Sequence, residues 1–139
     1  MLIFDYMDIE KIKPKIARLA EKYSLSLLLL FGSQVTGKTH LRSDVDLAFV
    51  SEKQLDLTEI AKMEIDFSQR LRIKNLEMVA LNGAHPFLLK QITQKAVVLY
   101  EKEDSLFVKF KIYALKRFME AKRLLDLREL SFNNFLQRT

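Results

Sequence analysis

One stretch limits what this chain can fold into: residues 26–50, SLLLLFGSQVTGKTHLRSDVDLAFV. Residues 27–31 form a continuous apolar run of strand length, the pattern of a strand buried on both faces. The run stops at Gly32, where the backbone is free to turn sharply and approach a ligand closely. Ser33 follows as a candidate helix N-cap, offering backbone N–H groups, a hydroxyl and the positive end of a helix dipole to an anion. After ten intervening residues a second strand opens with Asp44-Val45-Asp46. A period of two puts both carboxylates on one face and Val45 and Leu47 on the other. Two adjacent carboxylates repel unless a cation sits between them, and a hard, oxygen-liganded ion such as Mg²⁺ suits the pair. One stretch therefore supplies a phosphate cradle and a metal clamp.

The rest of the chain bounds the setting. Its 139 residues suffice for one compact domain and are too few for two ordinary ones. With 49% hydrophobic and 29% charged residues, the composition is globular rather than disordered. The absence of cysteine excludes a disulfide framework and thiolate chemistry, and is compatible with a reducing cytoplasm. Residues 1–6 are too short, and lack the basic start, for a signal peptide. The longest apolar run, 25–32, is far below membrane-spanning length, so no membrane association is expected. A net charge of +5 suits a nucleotide, a nucleic acid or an acidic partner, although scattered lysines are equally a solvated surface.

Periodicity then places the elements. A short apolar arm over 1–7 precedes a helix with Ile9, Ile12, Ile16 and Leu19 at helical spacing, with Asp8 as a candidate cap. Pro14 fits best in a first turn, which predicts a regular helix from Lys13 to Tyr23. Strands are expected over 26–31, 44–50, 75–81 and 96–100. Asp56 and Glu59 form a capping-box pattern for a helix carrying Ile60, Met63, Phe67 and Leu71, closed by Arg70, Arg72 and Lys74. Asn82-Gly83 marks a turn, and His85 a cap for a short helix from Pro86 to Thr93. A last helix, capped by Asp104 or Ser105, runs to Leu127 with Phe107, Phe110, Ala114, Phe118, Ala121 and Leu125 on one stripe. That stripe covers a face of the sheet or, in part, meets a partner subunit. Phe132, Phe135 and Leu136 in the tail favour partner contact. Residues 104–139 are thus a helix and tail appended to a single domain spanning 1–139. The class is α/β (α+β), a mixed β-sheet flanked by helices.

The spacing Gly32-Ser33, ten residues, Asp44-x-Asp46 resembles the signature of the DNA polymerase β-like nucleotidyltransferase superfamily. The short chain, Gly37 and Ser43-Asp44 resemble its minimal nucleotidyltransferase (MNT) branch, the antitoxin partners of HEPN toxins; the likeness covers residues 13–101. It implies an ATP- and Mg²⁺-dependent cytoplasmic enzyme that transfers AMP to a tyrosine of a cognate HEPN toxin. Direct nucleic-acid binding is not expected. Two alternatives stand beside this: a non-catalytic antitoxin that acts by binding alone, and a small-molecule nucleotidyltransferase similar to the aminoglycoside enzymes. By this resemblance Gly32 and Ser33 bind the nucleotide phosphates, and Asp44 and Asp46 are catalytic metal ligands. A third carboxylate on the next strand serves as general base or ligand of the ion that activates the acceptor. The residue that matches is Glu77, five before Asn82, where the superfamily usually has aspartate; the extra methylene adds about 1.5 Å of reach.

Other polar residues carry weaker signals. Lys38, His40 and Arg42 stand before the metal pair, where they touch phosphates or counter the acidic cluster. A lone histidine among hard oxygens is a poor metal-ligand candidate. Gly32-x4-Gly37-Lys38-Thr39 also satisfies a P-loop pattern after a strand. A P-loop opens a long helix directly after Lys-Thr, whereas here a new strand begins at Asp44, so the match reads as coincidence.

Overall fold

The structure, a computed structural model, describes residues 6–32 and 45–138. Among the described residues the elements follow in order: α1 (Tyr6–Lys22), β1 (Leu25–Phe31), β2 (Val45–Ser51), α2 (Leu57–Leu71), β3 (Leu76–Ala80), α3 (Pro86–Lys95), β4 (Val97–Glu101) and α4 (Leu106–Arg138). The strands form one sheet in the order β3-β2-β1-β4. β1 runs antiparallel to both β2 and β4, while β2 and β3 are parallel and joined through α2. The sheet is therefore mixed and flanked by helices, as expected.

β1 is central, and its sequence explains why. Leu27, Leu28, Leu29 and Leu30 are each at most 2% exposed, so alternate leucines serve opposite layers. Leu28 and Leu30 join Leu47, Phe49 and Met78 beneath Ile16, Leu19 and Ala20 of α1 and Met63 and Phe67 of α2. Leu27 and Leu29 join Ala48 and Leu81 beneath Leu89 and Ile92 of α3 and Ala114 of α4.

Helix α1 starts upstream of the expected Lys13 and carries Pro14 inside it. Proline cannot donate to the carbonyl of Glu10, but the turn it weakens is held from outside: Ile12 packs on the core with Ile16 behind it. Asp56 caps α2 by accepting the Glu59 N–H at 2.8 Å, as its sequence pattern predicted. The helix ends at Leu71, with Arg72 in a left-handed conformation at φ 56°. Ser24 and Ser105 share that conformation, at φ 56° and 67°. His85 caps α3, its Nδ1 accepting the Phe87 N–H.

The last helix departs most from expectation. It continues through residues 130–138, read from sequence as a tail, and spans 33 residues, about 50 Å. Ser105 stands at the cap position, its carbonyl accepting the Lys109 N–H at 3.1 Å, and Glu101 joins from further back, its carboxylate accepting the Phe107 N–H at 3.0 Å. Among the described residues no helix is long and apolar enough to cross a membrane.

Helices α1 and α2 are tied together at Asp66. Its carboxylate accepts Lys22 Nζ at 2.7 Å, the Tyr23 hydroxyl at 2.6 Å and Arg70 Nε at 3.1 Å. These donors, Lys22 first and Tyr23 next, hold the Asp66 carboxyl down to about 2. Burial, then the Asp66 bond, pushes the Tyr23 phenol up to about 12. A depressed carboxyl stabilises the fold above its unfolded pKa, so this contribution is lost as pH falls from about 4 to about 2. The raised phenol works in the other direction: its contribution is lost as pH rises from about 10 to about 12. Asp66→Asn should lower the unfolding free energy at pH 7 by on the order of 1 kcal/mol, allowing for solvent screening. Urea titrations of both proteins should converge near pH 2.

Candidate active site

The candidate site lies where β1 ends and β2 and β3 begin. Asp46, the second residue of β2, stands opposite Phe31 on β1 and in register with Glu77 on β3. Matching register on adjacent strands sends side chains to the same face. Asp46 and Glu77 therefore point to the α3/α4 side, about 5 Å apart at their bases. Asp46 is partly buried and Glu77 exposed. Leu47 and Met78, next in each strand, turn into the opposite core and fix this orientation.

The parallel register is held at both ends and at its outer edge. The Val45 N–H bonds to the Asn75 carbonyl at 2.7 Å, and the Leu81 N–H to the Phe49 carbonyl at 2.8 Å. Asn82 clasps Ser51, accepting its N–H at 3.0 Å and donating to its carbonyl at 2.9 Å. On the outer edge, Glu64 of α2 accepts the Met78 N–H at 2.9 Å, immediately after Glu77. Sequence reading assigned nothing to Glu64. It is a polar residue in an amphipathic helix, and its partner is a backbone group on an edge strand that periodicity does not reveal. It likewise read Asn82 only as a turn residue.

Gly32 closes the site. Its backbone sits at φ +85°, and a Cβ added there would lie 2.5 Å from Asp46 Oδ2. Any side chain at this position would collide with the carboxylate or force it aside. The strand-end glycine thus brings bare backbone against Asp46 while β1 holds both in place.

Of the residues singled out from sequence, the structure brings Gly32, Asp46 and Glu77 to one end of the sheet. Ser33 and Asp44, with Gly37, Lys38, His40 and Arg42, lie outside the described residues. Among the described residues no group of three or more His, Cys, Asp or Glu is gathered as a metal site. Asp46 and Glu77 make two, and the third expected ligand is Asp44. Two in-register carboxylates beside a cradle that a Cβ would fill suit a hard divalent cation and a phosphate better than a soft metal.

A four-stranded mixed sheet with helices on both faces, and carboxylates at the starts of two adjacent parallel strands, defines a nucleotidyltransferase-type domain. The profile of the family described as Polymerase beta, Nucleotidyltransferase matches residues 14–105, and the chain belongs to that family. No curated protein sequence matches. Among solved structures, a chain from a toxin–antitoxin complex with AMP-PNP is similar at TM-score 0.69 and 21% identity, covering 89% of this chain and 98% of that one. A chain from the tri-AMPylated Shewanella oneidensis HEPN toxin in complex with MNT antitoxin is similar at TM-score 0.65 and 19% identity, covering 92% and 98%. A structure described as a minimal nucleotidyltransferase is similar at TM-score 0.54 and 23% identity, covering 68% and 98%. The fold and family that residues 32–46 suggested are those found.

The Gly32 geometry has a direct test. Gly32→Ala should lower stability by about 1–3 kcal/mol, from the left-handed backbone and the collision with Asp46. In an Asp46→Ala background the loss should be smaller, because the collision is gone; chemical denaturation of the four proteins in this double-mutant cycle measures it.

Proposed function

We propose that this chain is a protein adenylyltransferase, the antitoxin of a toxin–antitoxin pair, and that it transfers AMP from ATP to a tyrosine of a HEPN toxin. The observation that carries the reading is the in-register Asp46–Glu77 pair beside Gly32 in a chain of the nucleotidyltransferase family. Likeness to chains from an AMP-PNP complex and an AMPylated toxin complex supports it.

The chemistry needs alignment and charge neutralisation more than covalent help from protein. Gly32 and Ser33 hold the triphosphate, with bare backbone at Gly32 allowing close approach. Asp44, Asp46 and Glu77 would hold Mg²⁺, which supplies neutralisation of the triphosphate and of the departing pyrophosphate. The acceptor tyrosine oxygen forms a bond to the α-phosphorus while the bond from that phosphorus to pyrophosphate breaks. The phenolic proton passes to Glu77, whose exposed carboxylate faces the same side as Asp46.

Intact mass of the toxin, co-expressed with and without this protein, tests the reading: added AMP mass is expected only with the wild type. Asp44→Asn with Asp46→Asn should abolish transfer, because the carboxylates that would hold the cation are gone. Wild-type turnover in that double variant sinks the metal assignment. Ser33→Ala should weaken nucleotide use roughly tenfold, one hydrogen bond to a charged group. Lys38→Ala should cost much less; the reverse order would revive the P-loop reading.

Glu77 separates catalysis from binding alone. Glu77→Gln keeps the shape and should stop transfer while nucleotide still binds, as read by toxin mass and by calorimetry with a non-hydrolysable ATP analogue. Wild-type transfer in this variant removes Glu77 from the chemistry. The alternative reading, an antitoxin that works by contact, is favoured by the long exposed face of α4 and by glutamate where the superfamily usually has aspartate. It forecasts neutralisation by Glu77→Gln with no mark on the toxin.

A further inference from the structure

The seam between α1 and α2, in the layer away from Asp46 and Glu77, holds a cavity of about 340 Å³ lined by Lys15, Arg18, Leu19, Lys22 and Arg70. All but one of these residues are cations. Lys15, Arg18 and Lys22 follow at steps of three and four, which stacks them on one side of α1. Arg70 joins them from the last turn of α2. Leu19, 2% exposed and part of the core, gives the cavity an apolar floor.

Among the described residues, Asp66 is the one carboxylate paired with these cations, and it is already occupied. It accepts Lys22, the Tyr23 hydroxyl and Arg70. Arg70 reaches it through Nε, which leaves the terminal guanidinium donors for another partner. Lys15 and Arg18 are exposed and make no ion pair or side-chain hydrogen bond with the described residues. Four cations against one carboxylate leave an excess of three positive charges around one cavity. Like charges one turn apart on a helix repel, and an apolar floor strengthens the field above it. An anion shared among the four relieves that repulsion.

The excess is local. Helices α1 and α2 together hold seven Lys or Arg against six Asp or Glu, a net +1, so the cations are gathered at the seam rather than spread along both helices. A nucleic acid needs a longer basic track to meet successive phosphates. A cavity at the small end of the range for small-molecule sites suits a compact anion of about three charges.

We propose that the α1–α2 seam binds an oligophosphate chain, at a site separate from the one that carries AMP transfer. Arg18 and Arg70 donate to phosphate oxygens, Lys15 and Lys22 neutralise the chain, and Asp66 holds Lys22 and Arg70 in position. The chain is a free inorganic one or the tail of a nucleotide.

Calorimetry with sodium tripolyphosphate, and separately with ATP, tests this in EDTA at fixed ionic strength. Wild type should bind tripolyphosphate, and Lys15→Glu with Arg18→Glu should weaken binding at least tenfold. Lys15→Gln with Arg18→Gln should fall between the two. The thermal midpoints of both variants should match or exceed the wild type, because the side chains are exposed and a repulsion is relieved. Asp46→Asn, in the other layer, should bind as wild type does. Equal affinity for the two probes assigns the chain alone, and tighter ATP assigns a nucleotide; either supports the site when the Lys15 and Arg18 substitutions abolish it. Several results overturn it: no binding by wild type, wild-type affinity in the charge-reversed variant, or loss in Asp46→Asn instead. So does equal binding of sulfate, which means that charge alone is read. So does a DNA duplex held by the same cations when tripolyphosphate is not.

Discussion

Burial of β1 from both sides is the constraint on which the rest of this molecule depends. Its leucines are shared between two layers, so neither layer can be built without the strand that also anchors the other. Full burial of a leucine contributes about 1.5–3 kcal/mol, and β1 places four of them in succession. The strand must also end where the candidate chemistry begins. Phe31 stands opposite Asp46, and the next residue is the glycine whose missing side chain leaves room for that carboxylate. Core and candidate site are thus successive segments of one strand.

Much of this was legible in the sequence because strong local patterns and tertiary structure agree. The unbroken leucine run meant a doubly buried strand. The Asp56 and Glu59 spacing meant a helix start, and the alternation about Glu77 placed it opposite Met78. What was not legible depended on partners distant in sequence. Pro14 looked like a helix start, yet the preceding turn survives because Ile12 is held by the core. The aromatics after Leu130 looked like a tail, because a helix that leaves its own domain has no packing partner to signal it. Glu101 joins the start of α4 across a strand-to-helix turn, behind Ser105, the nearer cap that the sequence offered.

The site was legible in a similar measure. Spacing picked out Gly32 and Asp46, and the family resemblance added Glu77; the sheet gathers the three at one end. Neither could supply the register that puts Glu77 level with Asp46 on a strand some thirty residues later. That register is enforced by Glu64, Asn75 and Asn82, through backbone groups that leave no periodic trace. A slip of one residue would turn Glu77 into the core and bring Met78 to the surface.

The left-handed residues carry a different consequence. The chain has only three glycines, and Ser24, Arg72 and Ser105 take backbone conformations that glycine adopts freely. Each stands at a junction: between α1 and β1, after α2, and before α4. A side chain there costs about 1 kcal/mol in conformational strain but also narrows the unfolded ensemble. These three corners are therefore stiffer than glycine would make them. The angles at which helices leave the sheet are held by strained hinges, so the molecule is poorly suited to motions that swing whole helices and better suited to presenting a fixed surface.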